Sequence, residues 1–194
     1  MNNEKEKMLS GQMYDPNDSE LIALRVRAHG LCAEYNATPE TDTEKRFSIL
    51  KELLGGIGEG AYIQGPVMID FGCFTSFGER SYANFNLTIL DTCPVTIGKD
   101  VFIGPNVSLL TAMHPLRWQE RNTFYREDGV LTDHEYGKPI VIGDNCWLAG
   151  SVTVCPGVTI GAGSVIGAGS VVTRDIPPGS LAFGNPCRAV RKID

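Results

Sequence analysis

From Ile142 onward the chain runs in strict units of six: IGDNCW, LAGSVT, VCPGVT, IGAGSV, IGAGSV and VTRDIP. Each unit begins with Ile, Leu or Val, and Gly or Ala follows in four of them. The same phase opens IGKDVF at Ile97, IGPNVS at Ile103 and a third unit at Leu109. Neither a helix nor an alternating strand sustains period six, whereas hexapeptide repeats are the signature of a parallel β-helix. In that architecture a hexad is one short strand plus a corner, and three hexads make a triangular coil. The first aliphatic points inward and stacks on its equivalents. A glycine after it avoids a Cβ clash at the corner, and a small fifth residue (Cys146, Val152, Val158, Ser164, Ser170) shares the interior. One coil cannot bury its own face, so several must stack and both ends need covers.

The sequence supplies covers. Residues 1–56 read as a helical cap. Asp15-Pro16 is an N-cap and N1 pair, and Leu21, Leu24, Ala28, Leu31, Cys32 and Tyr35 form one apolar helical face. Thr41 with Glu44 forms a capping box before a second helix carrying Phe47, Leu50, Leu53 and Leu54, which Gly55-Gly56 stops. Residues 57–184 are assigned to the β-helix, with less regular corners between 57 and 96, and residues 185–194 to a C-terminal tail.

The longest break in the pattern is an extended loop at 110–139. It is polar, aromatic and charged, so it cannot continue a dry coil and is expected to project as an arm. Long loops on rigid scaffolds are usually functional, although an arm can equally clasp a neighbouring subunit. His114 stands at its root and is the best acid–base candidate among three histidines. The other two, His29 and His134, leave no close pair for a zinc site, and no metal is expected. Polar residues that stacked coils could bring around His114 are Asp70, Tyr82, Asn84, Asn86 and Asp91, and each could instead satisfy its own corner.

At the other end, Arg174, Arg188, Arg191 and Lys192 gather in a chain whose formal net charge is -6. Such a patch fits a phosphate-bearing ligand, and a solvated tail is the plainer alternative. Trp147, sixth in its hexad, is expected to point outward toward a ligand or a subunit. The acidic balance argues against nucleic acid and anionic membranes as partners. Without an apolar leader or spanning run, the cytoplasm is the expected compartment. The six cysteines have no metal or disulfide spacing and read as small apolar residues.

The stretch from FYREDG through EYGKPIVIGDNCWLAGSVTVCPGVTIGAGSVIGAGSVVTRDIPPGSLAFGNPCRAVRKI, with YANFNLTILD, TAMHP and SGQMYDPNDSELIALRVRAHGLCAEYN, resembles the hexapeptide-repeat maltose and galactoside O-acetyltransferases over nearly the whole chain. The resemblance implies a left-handed parallel β-helix, a homotrimer, and active sites between subunits. It implies acetyl-CoA as co-substrate and the hydroxyl of a sugar such as maltose, glucose or a galactoside as acceptor. It makes His114 the general base and Asn84 a stabiliser of the oxyanion. Asp15, Asp70, Tyr82 and Asp91 fall at or beside acceptor positions. Gly150, Ala168, Thr173, Arg174, Arg188 and Arg191 match places that hold coenzyme A, and the outward Trp147 of the hexad reading is then expected beside the pantetheine. Two other readings stay open here: the same fold acetylating serine, an antibiotic or an amino sugar, and a non-catalytic β-helix that binds a partner.

Overall fold

A computed structural model describes residues 3–193; Met1, Asn2 and Asp194, at the ends of the expected cap and tail, lie outside the described residues. The body is a parallel β-helix of three faces. The first face stacks Gly56–Ile57, Thr75–Phe77, Val95–Ile97, Ile140–Ile142 and Thr159–Ile160. The second stacks Tyr62–Ile63, Tyr82–Ala83, Phe102–Ile103, Trp147–Leu148, Val165–Ile166 and Ser180–Gly184. The third stacks Val67–Ile69, Leu87–Leu90, Ser108–Leu110, Thr153–Val154 and Val171–Val172. Pairing between coils is parallel and in register throughout, for example Ile97 with Ile142 and Ile142 with Ile160.

The register follows from the hexads. Ile142, Leu148, Val154, Ile160, Ile166 and Val172 are all buried, and so are the fifth residues Cys146, Val152, Val158, Ser164 and Ser170. Each inward aliphatic contributes about 1.5–3 kcal/mol by leaving water. Second-position glycines are required by the coil above: a Cβ on Gly161 would lie 2.4 Å from the Pro178 nitrogen, and one on Gly143 2.6 Å from that of Ala162. The left-handed turn of the corner falls two residues later. Asn145 (φ 59°), Ser151 (φ 59°) and Gly163 (φ 70°) take it, which explains why small or Asx-type residues recur there. Between 57 and 97 the corners are longer, and equivalent residues such as Phe71 and Asp91, or Asn86 and Asn106, stand 20 apart instead of three hexads apart.

Outward residues differ from face to face. The first face presents Ser76, Thr96 and Thr159. The second presents the aromatic ladder Tyr62, Tyr82, Phe102 and Trp147, with ring centroids 6.3 Å apart for the two tyrosines and 6.4 Å for Tyr82 and Phe102. Trp147 is 53% exposed, pointing outward as its hexad position requires.

Three helices, α1 (Glu4–Leu9), α2 (Ser19–Ala37) and α3 (Thr43–Leu53), cover one end. The expected apolar face of α2 is buried through Leu21, Ala28, Leu31, Cys32 and Tyr35, with Leu24 half-buried. Both expected caps are displaced. Asp18, not Asp15, caps α2 by accepting from the Glu20 and Leu21 amides, and Asp42, not Thr41, caps α3 by accepting from Lys45. Arg46 of α3 is 4% exposed and pins the cap to the prism by donating to the carbonyls of Thr38 (3.0 Å) and Gln64 (2.9 Å). At the other end the expected tail is ordered: Cys187–Lys192 is a strand that turns back antiparallel on Ser180–Gly184. Among the described residues no helix is long and apolar enough to cross a membrane.

Candidate active site

The arm leaves the prism at the edge between the third and first faces. It is built of two antiparallel pairs, Ala112–Met113 with Tyr136–Gly137 and Phe124–Tyr125 with Leu131–Thr132, joined through the short helix Trp118–Arg121. It does not simply project. It docks on residues 14–17 of the cap, where Tyr14 bridges Glu135 and the Asn17 side-chain Nδ2 donates to the Leu131 carbonyl and the Thr132 hydroxyl, both at 3.1 Å.

His114 sits at this seam with its side chain 46% exposed. Nδ1 lies 3.4 Å from Asp133 Oδ2, and Nε2 lies 3.9 Å from Glu135 Oε1. The far oxygen of Glu135 accepts a 2.6 Å hydrogen bond from the Tyr14 hydroxyl, which is 1% exposed. Burial first, then the charge of Glu135, pushes the Tyr14 hydroxyl far above its ordinary pKa, so it remains a donor. Sequence reasoning names neither Asp133 nor Glu135 nor Tyr14. The one local hint is the alternation Asp133-His134-Glu135, which sends both carboxylates to one side of the returning chain and His134 to the other, against the Phe124 ring (4.9 Å). One ligand atom from each of His114, Asp133 and Glu135 falls within 4.8 Å of the others, so these are the residues that could hold a divalent cation. An imidazole flanked by two carboxylates is equally the arrangement of an oriented base.

The expected acceptor residues part company. Asp15 belongs to the seam: it accepts from the Thr132 hydroxyl (2.5 Å), the Asn17 amide (2.9 Å) and Arg126 Nη1 (2.5 Å). Burial opposes its ionisation, but those three donors outweigh burial and hold the carboxyl below the usual carboxylate range. Asp15 therefore straps the arm to the cap, with both oxygens engaged. Asp70 follows Ile69 on the same edge as His114, two coils away, and pairs with His29 Nε2 at 3.3 Å beside a hollow of about 510 Å³ lined also by Cys32, Asn36, Met68 and Leu90. Asp91 corrects the sequence expectation. It is 0% exposed, its carboxylate accepts from the Phe71 amide and the Thr75 hydroxyl (both 2.8 Å), and burial raises its pKa. No surface is left on Asp91 for a ligand; it ties two successive corners together.

Tyr82 and Asn84 lie elsewhere. Tyr82 is on the aromatic ladder, and Asn84 follows Ala83 at the edge between the second and third faces. The Asn84 oxygen accepts from the Phe85 amide at 2.8 Å, leaving its NH2 group as the end available to a ligand. Gly150 and Ala168 stack on this same edge, one coil apart. Thr173 and Arg174 follow Val172, which stacks through Val154 on Leu109, and so they stand on the His114 edge. Arg188 and Arg191 are exposed on the returning strand opposite Phe183 and Leu181, and among the described residues Arg174, Arg188 and Arg191 form no ion pair. Asp70, His114, Thr173 and Arg174 thus share one edge of the prism and Asn84, Gly150 and Ala168 another, separated by the third face, whose strand Leu87–Leu90 spans roughly 10–13 Å, while Tyr82 and Trp147 project from the second face.

All six cysteines are unpaired, and burial raises every one of the thiols, Cys93 to about 11. None is set up as a thiolate nucleophile.

Comparison with known proteins agrees with this architecture. Residues 7–58 match the maltose acetyltransferase hexapeptide capping motif, residues 139–174 the bacterial transferase hexapeptide, and residues 94–109 the hexapeptide repeat of succinyl-transferase. The galactoside O-acetyltransferase of Escherichia coli K12 is 41% identical over 97% of this chain and 89% of its own length. A maltose O-acetyltransferase from Clostridium difficile 630 superposes with a TM-score of 0.92 at 44% identity, covering 100% of this chain and 98% of the other. A galactoside acetyltransferase in complex with coenzyme A superposes with a TM-score of 0.91 at 40% identity, covering 100% and 92%. The chain belongs to the maltose and galactoside O-acetyltransferase family of hexapeptide-repeat acetyltransferases.

Proposed function

We propose that this protein transfers the acetyl group of acetyl-CoA to a hydroxyl of a sugar such as maltose, glucose or a galactoside, with His114 as general base. The observation that carries the reading is the imidazole at the root of the arm with a carboxylate on each side. Asp133 beside Nδ1 favours the tautomer with the proton there, which leaves the Nε2 lone pair free. Nε2 takes the hydroxyl proton as the sugar oxygen bonds to the thioester carbonyl carbon. The C–S bond then breaks, and the proton passes from Nε2 to the departing thiolate. Direct transfer is favoured over an acyl-enzyme because the raised thiols offer no nucleophile next to this base. The Asn84 NH2 group is the donor assigned to the developing oxyanion. Gly150, Ala168 and Thr173 line the coenzyme, the pantetheine runs beside Trp147, and Arg174, Arg188 and Arg191 meet the phosphates.

His114 and Asn84 of one chain stand on edges a whole face apart, so one reacting centre touches both only if a second copy supplies one of them. This favours a homotrimer with sites between subunits. The exposed Phe102 and Trp147 of the aromatic ladder and the exposed Leu116, Trp118 and Tyr125 of the arm are the apolar surfaces such an assembly would cover. Light scattering of the purified protein tests the assembly. Six unpaired cysteines suit a reducing compartment, and the cytoplasm is the assigned location.

The decisive assay is thiol release from acetyl-CoA over glucosides, galactosides, maltose and free glucose, with serine and amino sugars alongside. Release with a glycoside is the expected result; release only with serine or an amino sugar would move the acceptor class.

A further inference from the structure

Glu135 is fixed more tightly than an arm residue needs to be. Its backbone exchanges hydrogen bonds with Tyr14, 2.9 Å from the Tyr14 amide and 3.2 Å back to the Tyr14 carbonyl, and the buried Tyr14 hydroxyl holds Oε2 at 2.6 Å. Oε1 is thereby turned toward His114 and has no hydrogen-bond donor among the described residues. It stands 3.9 Å from Nε2, too far for a bond between the two.

When the site is ready to react, both atoms only accept. A carboxylate oxygen offers lone pairs alone, and so does the imidazole nitrogen about to receive a proton. A hydroxyl carries one proton. Satisfying both atoms therefore takes two donors, and a single hydroxyl lodged between them would turn its own lone pairs on one of them. Two neighbouring hydroxyls of one molecule span this gap, the first about 2.6–3.2 Å from Nε2 and the second at hydrogen-bond distance from Oε1.

We infer that Glu135 is a specificity-determining residue whose Oε1 accepts a hydrogen bond from a second hydroxyl of the acceptor, next to the one His114 deprotonates, so that the site selects molecules with paired hydroxyls over lone alcohols. The inference rests on the acetyl-transfer reading above. Tyr14 is the positioning residue that holds the carboxylate in place.

The test uses the intact enzyme and an acetylated glycoside from which the hydroxyls are removed one at a time. Removing one particular neighbour of the acetylated hydroxyl is expected to lower kcat/KM by roughly tenfold to a hundredfold, the size of a hydrogen bond to a charged group. In Glu135→Ala the same removal should cost no more than about twofold, because the partner is already gone. A wild-type enzyme that acetylates every analogue retaining the target hydroxyl as well as the parent overturns the inference without help from any variant. So does a Glu135→Ala enzyme that slows on all acceptors by one factor and keeps the removal penalty, since Glu135 would then only anchor the arm. Thiol release with no glycoside at all brings down the sugar reading and this inference together, which separates the two failures.

Discussion

Asp15 and Asp91 are both aspartates that the family resemblance sends to the acceptor site, and they end in opposite surroundings. Asp91 is sealed between two corners of the coil, where burial makes its charge costly and raises its pKa. Asp15 lies in the seam between cap and arm, where three donors outweigh its burial and lower its pKa. The coil interior is written by local repetition and tolerates charge only as a corner tie. The seam is written by residues far apart in the chain, Asp15 with Arg126 and Tyr14 with Glu135, and it is where His114 meets its two carboxylates.

The largest effect should come from the seam. His114→Ala is expected to lower turnover on the order of a hundredfold or more, the worth of a general base, with an unchanged melting temperature. Thiol release and calorimetry on the same sample check it, and comparable activity would remove His114 from the mechanism. The interior should behave in the opposite sense. Leu148→Ala empties a fully buried place on the second face and is expected to cost about 2–5 kcal/mol in denaturant titration, while the folded fraction keeps its activity. A loss of activity without a loss of stability there would break the division between the two regions.

A smaller effect separates arm from prism. Arg126→Ala removes one of the two arm donors to Asp15, leaving the Thr132 hydroxyl, and should speed limited proteolysis within 115–132 and raise the acceptor KM, with the global unfolding midpoint little changed. The subtlest test is pH. Asp15 has a depressed pKa, so its contribution is present above the unfolded value near 3.9 and is lost as pH falls through the lower folded value. Asp91 has a raised pKa, so its contribution is present below the unfolded value and is lost as pH rises through the higher folded one. Asp15→Asn should therefore be most costly at neutral pH and Asp91→Asn most costly in acid. Parallel stability–pH curves for the two variants would contradict the contrast.

Particular residues show how far the sequence could be read. Ile142, Leu148 and Val154 announce the inward ladder, and Trp147 its outward complement, because period six fixes which way each side chain faces. His114 is legible as the residue where the period breaks. The helix cap at Asp15-Pro16 reads plausibly yet is absent, since Arg126 and Thr132 claim that carboxylate and Asp18 meets the free amides of α2 instead. Asn145 and Ser151 carry a readable signal for the left-handed corner, two positions beyond the small residues Gly143 and Ala149 that follow the inward aliphatic.

The sequence alone determined the coil, because each hexad meets only its neighbours and stacking repeats one local rule. Tertiary structure alone decided the surroundings of His114. Tyr14 and Glu135 are separated by 121 residues, and no periodic pattern encodes the docking of an arm on a cap that brings them within 2.6 Å. A repeat fixes what adjacent coils do to each other, whereas a reactive site depends on contacts whose chain-closure cost is repaid only once the rest of the molecule has folded.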